Sequence, residues 1–384
     1  MSSLKYWVWL SSLSGVGNII GRNLIDALGS PENIYHADSR DYLDIPGVDK
    51  AKIEKLMNKD IIFANEILAN CAQTGCRVVT LQDADYPDRL RNIYDPPLVF
   101  YLKGNLPNVD DLPVVGIVGS RNCTPYGINA AETIGKKLSE NGIIVSTGLA
   151  DGIDTAAARG ALGGNAPVIG VIGTGPDIVF PSRNRQLFSD VMSSGVLISE
   201  YPPGTPGRRH HFPARNRIIS GLSLGVAVIE APEKSGALIT AARAIEQGRD
   251  VFALPGNIDA PSCKGSNKLL REGAIPFTSA EDIIEEYIDL FSAIKSEEKS
   301  NESNKIIDKN EMVDYIDLDE IICKLDGDEK TVAKIIGSQT LHIDDIIIGS
   351  ELSAQQVLTT LTMLEIGGCI HNSNSKYYSL VSAV

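Results

Sequence analysis

Between residue 113 and about residue 280 the chain alternates short apolar runs with glycine turns and amphipathic stretches. No other feature restricts the possible folds as strongly. The runs are VVGIVG (114–119), IIVST (143–147), PVIGVIG (167–173), VLISE (196–200), LGVAVIE (224–230) and DVFALP (250–255). Between them lie helical patterns such as YGINAAETIGKKLSENG and GALITAARAIEQG. Near-continuous Val/Ile runs, rather than an in–out alternation, describe strands covered on both faces, which means an α/β protein with a parallel sheet. Ligands of such sheets bind outside the carboxyl ends of the strands, so the turns that follow the runs are the ones to read.

Those turns are GSR (119–121), STGLADGID (146–154), GTGPDIVFPSRNRQL (173–187), SEYPPGTPGRRHHFPARNR (199–217), EAPEKSGALIT (230–240) and PGNIDAPSCKGSN (255–267). The first is neither the three-glycine dinucleotide fingerprint nor a Walker loop closed by Gly-Lys-Ser/Thr. The set is rich in glycine and serine, and the arginines that three of the six turns carry are its informative part. Arg121, Arg183, Arg185, Arg208, Arg209, Arg215 and Arg217 are expected to project toward one sheet edge, and residues 201–220 hold four arginines and no acid. Guanidinium forks suit phosphate oxygens, and backbone amides at Gly119, Gly148 and Gly173 near helix starts add anion sites. With Thr174, Asn184 and Asn216 beside them, these residues are the candidate nucleic-acid-binding set. A rim spread over several loops fits a polyanion better than a mononucleotide.

Catalytic machinery is sparse. Of five histidines only His210 and His211 fall on this edge, with no evident nucleophile or orienting carboxylate. Glu230 and Asp154 end near it. Glu230 could do acid–base work, cap the helix that starts near Ser235, or hold an arginine, and the structural uses are favoured.

The formal charge of −14 speaks against a polyanion only until its distribution is read. Residues 281–330 carry 17 Asp/Glu against 6 Lys/Arg, so the acid is concentrated in one segment. Four regions follow: a helical domain over 1–74, the α/β domain over 75–290, a polar acidic linker over 291–310, and a helix–helix–helix–two-strand pattern over 311–384 that reads as a winged helix. The helical region contains LSGVGNIIGRNLIDALG (13–29) and IPGVDKAKIEKL (45–56), similar to the starts of helix-hairpin-helix units. Their glycine turns could face a phosphate or merely turn the chain. The second copy lacks its second glycine, which favours the plainer use. In the winged-helix region no Lys or Arg occurs between Gln339 and Ser375, so groove binding by the helix near 353–368 is not expected. That module is expected to contact protein or regulate the chain itself. Ala354, Val357, Leu358, Leu361 and Leu364 are expected to build its core.

Six scattered cysteines suit a reducing cytoplasm. No apolar run approaches the roughly 20 residues of a membrane span, and the opening residues show no cleavage pattern. A cytoplasmic protein without metal or cofactor is expected.

The turns named above, together with the late GSNKLLREGA and the preceding DADYPDRLRNIYDPPLVFYLKGN, resemble in order and spacing the DNA-processing protein DprA (Smf) family. The resemblance is strong over roughly 80–280 and weaker in the helical (helix-hairpin-helix or SAM-like) and winged-helix-like termini. It implies an extended Rossmann-type domain that binds single-stranded DNA without catalysis, protects incoming strands during natural transformation, helps load the recombinase RecA, and forms a homodimer through that domain. The family's main DNA-contacting motif maps to Ser120 and Arg121. Its second basic contact maps to the turn Phe180–Asn184, on Arg183 or Arg185. Where the family commonly has arginine, this chain has Asp151, a formal change of two charges that Arg183 and the 208/209 pair could offset. A nucleotide-processing enzyme similar to lysine-decarboxylase-like phosphoribohydrolases is the alternative, but their P-G-G-x-G-T signature is missing. Binding is expected to be sequence-tolerant, with Phe180, Phe188, Phe212 and Tyr126 as the few aromatic stacking candidates.

Overall fold

The computed structural model describes residues 3–287, 327–336, 341–350, 352–366, 370–373 and 377–380. The expected linker over 291–310, and residues 311–326 of the expected winged helix, lie outside the described residues. The chain forms two compact units, residues 1–302 and 303–384.

The first unit opens with helices α1 (Leu4–Ser12), α2 (Gly17–Leu28), α3 (Pro31–His36), α4 (Lys50–Met57) and α5 (Ile62–Thr74). Strand β1 (Arg77–Thr80), the short helix α6 (Asp88–Arg91) and β2 (Val99–Gly104) follow. Then strands and helices alternate: β3 (Val114–Val118), α7 (Pro125–Glu140), β4 (Ile144–Thr147), α8 (Ile153–Leu162), β5 (Val168–Ile172), α9 (Arg185–Ser194), β6 (Val196–Ser199), α10 (His211–Leu222), β7 (Gly225–Val228), α11 (Gly236–Glu246) and β8 (Asp250–Ala253). Helix α12 (Lys264–Arg271), β9 (Ile275–Pro276) and α13 (Ala280–Glu286) complete the described part of this unit.

All nine strands form one sheet in the order β1-β2-β6-β5-β4-β3-β7-β8-β9. Strands β3 to β9 pair in parallel, whereas β1 and β2 run antiparallel and extend one edge. The apolar runs of the sequence are β3 to β8, each slightly shorter than its run. Both faces are covered. One core gathers Ile134, Ala157, Phe188 and Phe252 with their neighbours, the other Ile169, Ile219, Leu222 and Ala241. Burial of both strand faces is why Val and Ile dominate without alternating.

The N-terminal helices have their own core around Trp9, Leu24, Ile34, Tyr42 and Leu56, and it continues onto Leu98, Val99 and Tyr101 at β2. Asn18 reinforces this seam, accepting from the Leu98 N–H at 3.2 Å and donating to Glu200 at 2.7 Å. In the first glycine turn Lys55 Nζ donates to the Ser14 carbonyl at 2.5 Å, which ties that turn to α4.

The second unit contains α14 (Gly327–Ile336), β10 (Leu341–His342), α15 (Ile343–Ser350), α16 (Ala354–Ile366), β11 (Ile370–Ser373) and β12 (Tyr377–Leu380). Its three antiparallel strands are ordered β10-β12-β11. Val332, Ile346, Val357, Leu361, Leu364 and Tyr378 make its core. Ala354 and Leu358, expected inside, are exposed: Ala354 is the first residue of α16, and Leu358 stands about 100° around the helix from Val357, off the buried face that runs through 357, 361 and 364.

Candidate nucleic-acid interface

The chain leaves β3 toward β4 on one side, and returns after β6 to place β7 on the other. The loops after β3 and β7 therefore part, and a cleft opens at this switch point, as α/β sheets require. It has a volume of about 780 Å³ and is bounded by Gly119–Asn122 after β3, by the Pro232–Thr240 stretch after β7, and by residues at the start of α10.

Arg121 stands at this cleft, exposed and in no ion pair among the described residues, although its charge reaches the buried Asp154 carboxyl and favours that group's ionised form. Its guanidinium lies over the Phe212 ring, 5.2 Å from the centroid. The Phe180 ring, about half exposed, is 5.4 Å from Phe212. A cation over an aromatic shelf, open to solvent, can meet a phosphate and a base together. The loop that carries it is fixed from below. Ser120 N–H donates to the Glu230 carbonyl at 2.7 Å, and Ser120 Oγ bridges Asn122 through a donated and an accepted bond. Ser120 is buried, so its hydroxyl shapes the turn that presents Arg121. Gly152, at φ +78°, seats the next loop against this one: a Cβ there would stand 2.3 Å from the Ser120 carbonyl oxygen.

The other predicted residues divide. Arg185, Arg208 and Arg209 are exposed. Arg183 is exposed too, but its Nε donates to Asp151 Oδ1 at 2.6 Å, so the acid that departs from the family pattern neutralises the nearest predicted contact. Asn216, half-buried, donates weakly to the Gly236 carbonyl at 3.3 Å.

Four predicted contacts face inward instead. Thr174 donates to the Ile178 carbonyl at 2.7 Å. Asn184 donates to the Leu149 carbonyl at 3.1 Å and to Thr155 at 2.8 Å, locking the turn that carries Arg183 and Arg185. Arg215 is buried beside Asp154, with Nη1 on the Val171 carbonyl and both groups packed against Gly148, where a Cβ would meet each at about 2.5 Å. Burial pushes the Arg215 guanidinium down to about 10, partly opposed by Asp154, and burial raises the Asp154 carboxyl, partly opposed by Arg215. Arg217 turns away to the seam with the N-terminal helices, where Nη2 and Nη1 hold both Glu200 oxygens at 2.6 and 2.9 Å and Nε reaches Asp95. The expectation that all seven arginines share one edge is thus corrected: Arg217 lies in a buried ion pair and Arg215 beneath the cleft. Their charges are compensated by acids far away in sequence.

Gly173, Phe212 and His211 form the cleft's other support. The His211 Nδ1–H donates to the Gly173 carbonyl at 3.0 Å, and its ring stacks on Tyr201 with centroids 3.8 Å apart. Burial lowers its pKa, so it acts as a neutral strut at the start of α10. Of the aromatic candidates, Phe188 is core, Tyr126 is exposed, and Phe180 and Phe212 form this shelf.

Glu230 is buried, and Oε2 accepts from the Thr124 N–H at 3.0 Å and its hydroxyl at 3.1 Å. Thr124 caps α7, so Glu230 braces that helix start and not the one near Ser235. Lys234, exposed in the loop after β7, joins the cationic mouth with Arg209. It was missed in sequence, although it is the one cation in EAPEKSGALIT, at the strand end flanking the switch point.

These features define a Rossmann-type α/β protein whose strand-end loops carry a cationic, aromatic-lined cleft. Residues 77–288 match the family described as DNA recombination-mediator protein A, and residues 319–373 match the DprA winged helix domain. The chain is 33% identical to protein Smf of Synechocystis sp. across 98% of both chains, and 44% identical to DNA processing protein DprA of Streptococcus pneumoniae over 54% of this chain and 73% of that one. The X-ray structure of the Streptococcus pneumoniae protein superposes with a TM-score of 0.64 at 36% identity, covering 73% of this chain and 97% of that one. DNA processing protein A of Helicobacter pylori, described for its single-stranded DNA binding mode, gives 0.51 at 28%, covering 56% and 96%. The chain belongs to the DprA (Smf) family.

Proposed function

We propose that this protein binds single-stranded DNA along the loops at the carboxyl ends of β3, β5 and β7, without catalysing a reaction on it. The observation that carries the reading is Arg121: exposed, unpaired among the described residues, and held over the Phe212–Phe180 shelf at the switch-point cleft. Arg185, Arg208, Arg209 and Lys234 extend the cationic track, and Arg183 joins it when a phosphate displaces Asp151. The N-termini of α8 and α11 lie beside the cleft and add partial positive charge. Phosphate contacts set affinity and carry no base code.

The protein handles incoming single strands, delivers them to RecA and acts as a cytoplasmic homodimer through the α/β domain; the family description and its DNA-processing members support the first of these roles. No helix among the described residues is long and apolar enough to cross a membrane. Glu230, the residue singled out for acid–base work, braces the cap of α7 through Oε2, while Oε1 is buried without a hydrogen-bond partner.

The test is fluorescence anisotropy with single-stranded and duplex DNA of equal length. Wild type should prefer the single strand, with affinity that falls as salt rises. Arg121→Ala should lose about 10- to 100-fold through one charge-assisted contact and its stacking. Equal binding by Arg121→Ala would overturn the reading.

A further inference from the structure

We infer that Cys71 and Cys76 form a peroxide-reactive thiol pair, which closes into a reversible disulfide and clamps the junction between the N-terminal helices and the sheet. The inference is independent of the single-strand reading.

A helix end builds the pair. Helix α5 stops at Thr74, and Gly75 turns the chain through the left-handed region at φ +65°. The N–H groups of Gly75 and Cys76 both donate to the Cys71 carbonyl, the latter at 2.8 Å. A cap of this kind folds the residue after the glycine back over the last turn, and the side chains at these two positions commonly touch. Here both are thiols. They are buried, 3% and 8% exposed, in the core that continues onto Val99 and Tyr101. Each thiol perturbs the other more than burial or any nearby charge does. Cys76 holds Cys71 below its ordinary value, against burial and Asp177, whereas Cys71 and then burial raise Cys76. Arg77 opens β1 directly after Cys76, so the cap is also the covalent junction of helices and sheet. One residue earlier, Asn70 donates to the Pro203 carbonyl at 3.3 Å, tying the same turn to the loop after β6. Cys123, in the loop after β3, and Cys263, before α12, lie on other elements.

The asymmetry assigns the order of reaction. A thiolate attacks where a thiol does not, so Cys71 is the sulfur that meets the oxidant. Its thiolate attacks hydrogen peroxide, the O–O bond breaks, hydroxide leaves and Cys71 becomes a sulfenic acid. Cys76 then attacks that sulfur. The S–S bond forms, and the sulfenic oxygen leaves as water with the Cys76 proton. In sum, two thiols give up two electrons to one peroxide, and one disulfide and two waters result. A dithiol reverses the step by exchange.

The test exposes the reduced full chain to hydrogen peroxide, alkylates it and cuts it with trypsin without reductant. Cleavage after Lys59 and Arg77 puts both thiols on one peptide, residues 60–77. That peptide should lose two hydrogens and escape alkylation, and dithiothreitol should restore it, while Cys123 and Cys263 stay open to alkylation. Closing the loop from Cys71 to Cys76 should also raise Tm by roughly 3–4 °C. In Cys76→Ala, dimedone should trap a sulfenic acid on Cys71, and in Cys71→Ala it should find none on Cys76, with circular dichroism to confirm that both variants fold. The peptide map of the wild type decides the pairing without either variant. Alkylation of both thiols after peroxide, or Cys71 carried on to sulfinic acid with no disulfide, overturns the inference. A disulfide that lowers Tm overturns the clamp, and dimedone on Cys76 in folded Cys71→Ala overturns the order of attack.

Discussion

Arg217 and Arg121 both lie in arginine motifs, yet the structure gives them opposite work, and Arg217→Ala separates the two. Arg217 is buried in α10. It makes two bonds to Glu200, at 2.6 and 2.9 Å, and one each to the Asp95 and Ala214 carbonyls, at 2.9 and 3.0 Å. Burial alone would lower its pKa, but the charge and hydrogen bond of Glu200, with Asp95, outweigh it and raise it. Truncation leaves the Glu200 carboxylate mostly buried with Asn18 as its remaining side-chain donor. Removing one partner of a buried pair costs about 3–5 kcal/mol. Glu200 retains some exposure, 17% for its side chain, so the low end, about 3 kcal/mol, is the expected loss. For a unit of this size that lowers Tm by roughly 5 °C. Scanning calorimetry reads the stability, and anisotropy well below the transition reads binding, which should stay within about twofold of wild type because the motif's charge never reaches the DNA. Arg121→Ala should do the reverse, keeping Tm and losing affinity. An Arg217→Ala protein that melts like wild type but loses DNA as Arg121→Ala does would refute the assignment.

Three further outcomes follow from the same contacts. Asp151→Asn should free Arg183 and tighten single-strand binding by about two- to fivefold at low salt, a gain that shrinks as salt screens the exposed pair; anisotropy showing no change would mean Arg183 never meets the strand. Glu230→Ala should cost about 2–3 kcal/mol by orphaning the Thr124 amide and emptying a buried site, read by calorimetry, and nucleotide hydrolysis should be equally absent before and after; activity lost with Glu230 would favour the enzyme reading. Burial pushes the Lys59 ammonium down to about 8, below its unfolded value near 10.4. The unfolded state then binds more protons between those values, so stability should rise as pH climbs from about 8 to about 10.4 and fall again on the way down. The emission of Trp7 and Trp9, the chain's two tryptophans and both in α1, reports on that helical core, and Lys59→Met should flatten the slope.

The parallel sheet was legible because burial on both faces leaves a direct compositional trace, and all six apolar runs became strands. Strand β9, two residues long, leaves no such trace. β1 and β2 are not among those six runs, since the antiparallel pairing of β1 with β2 and of β2 with β6 depends on partners outside each strand, for β2 far along the chain. The site was half legible. Arg121 and Arg209 line the cleft to which strand-end reasoning pointed, and Arg185 and Arg208 are exposed. Arg215 could have been recognised as buried, because Arg215, Ile218, Ile219 and Leu222 follow the spacing of one helix face. Arg217 could not, since Glu200 and Asp95 come from other loops. Asp151 signalled a change of charge in sequence, but only the fold shows that it pairs with Arg183.

The most direct measurement is photo-crosslinking of the full chain to a 4-thiothymidine-substituted single strand, with the adducts located by mass spectrometry. The account predicts adducts within 119–122, 180–185, 208–212 and 234–240, all lost when unlabelled single strand competes. Adducts confined to the N-terminal glycine turns or to α16 would contradict it.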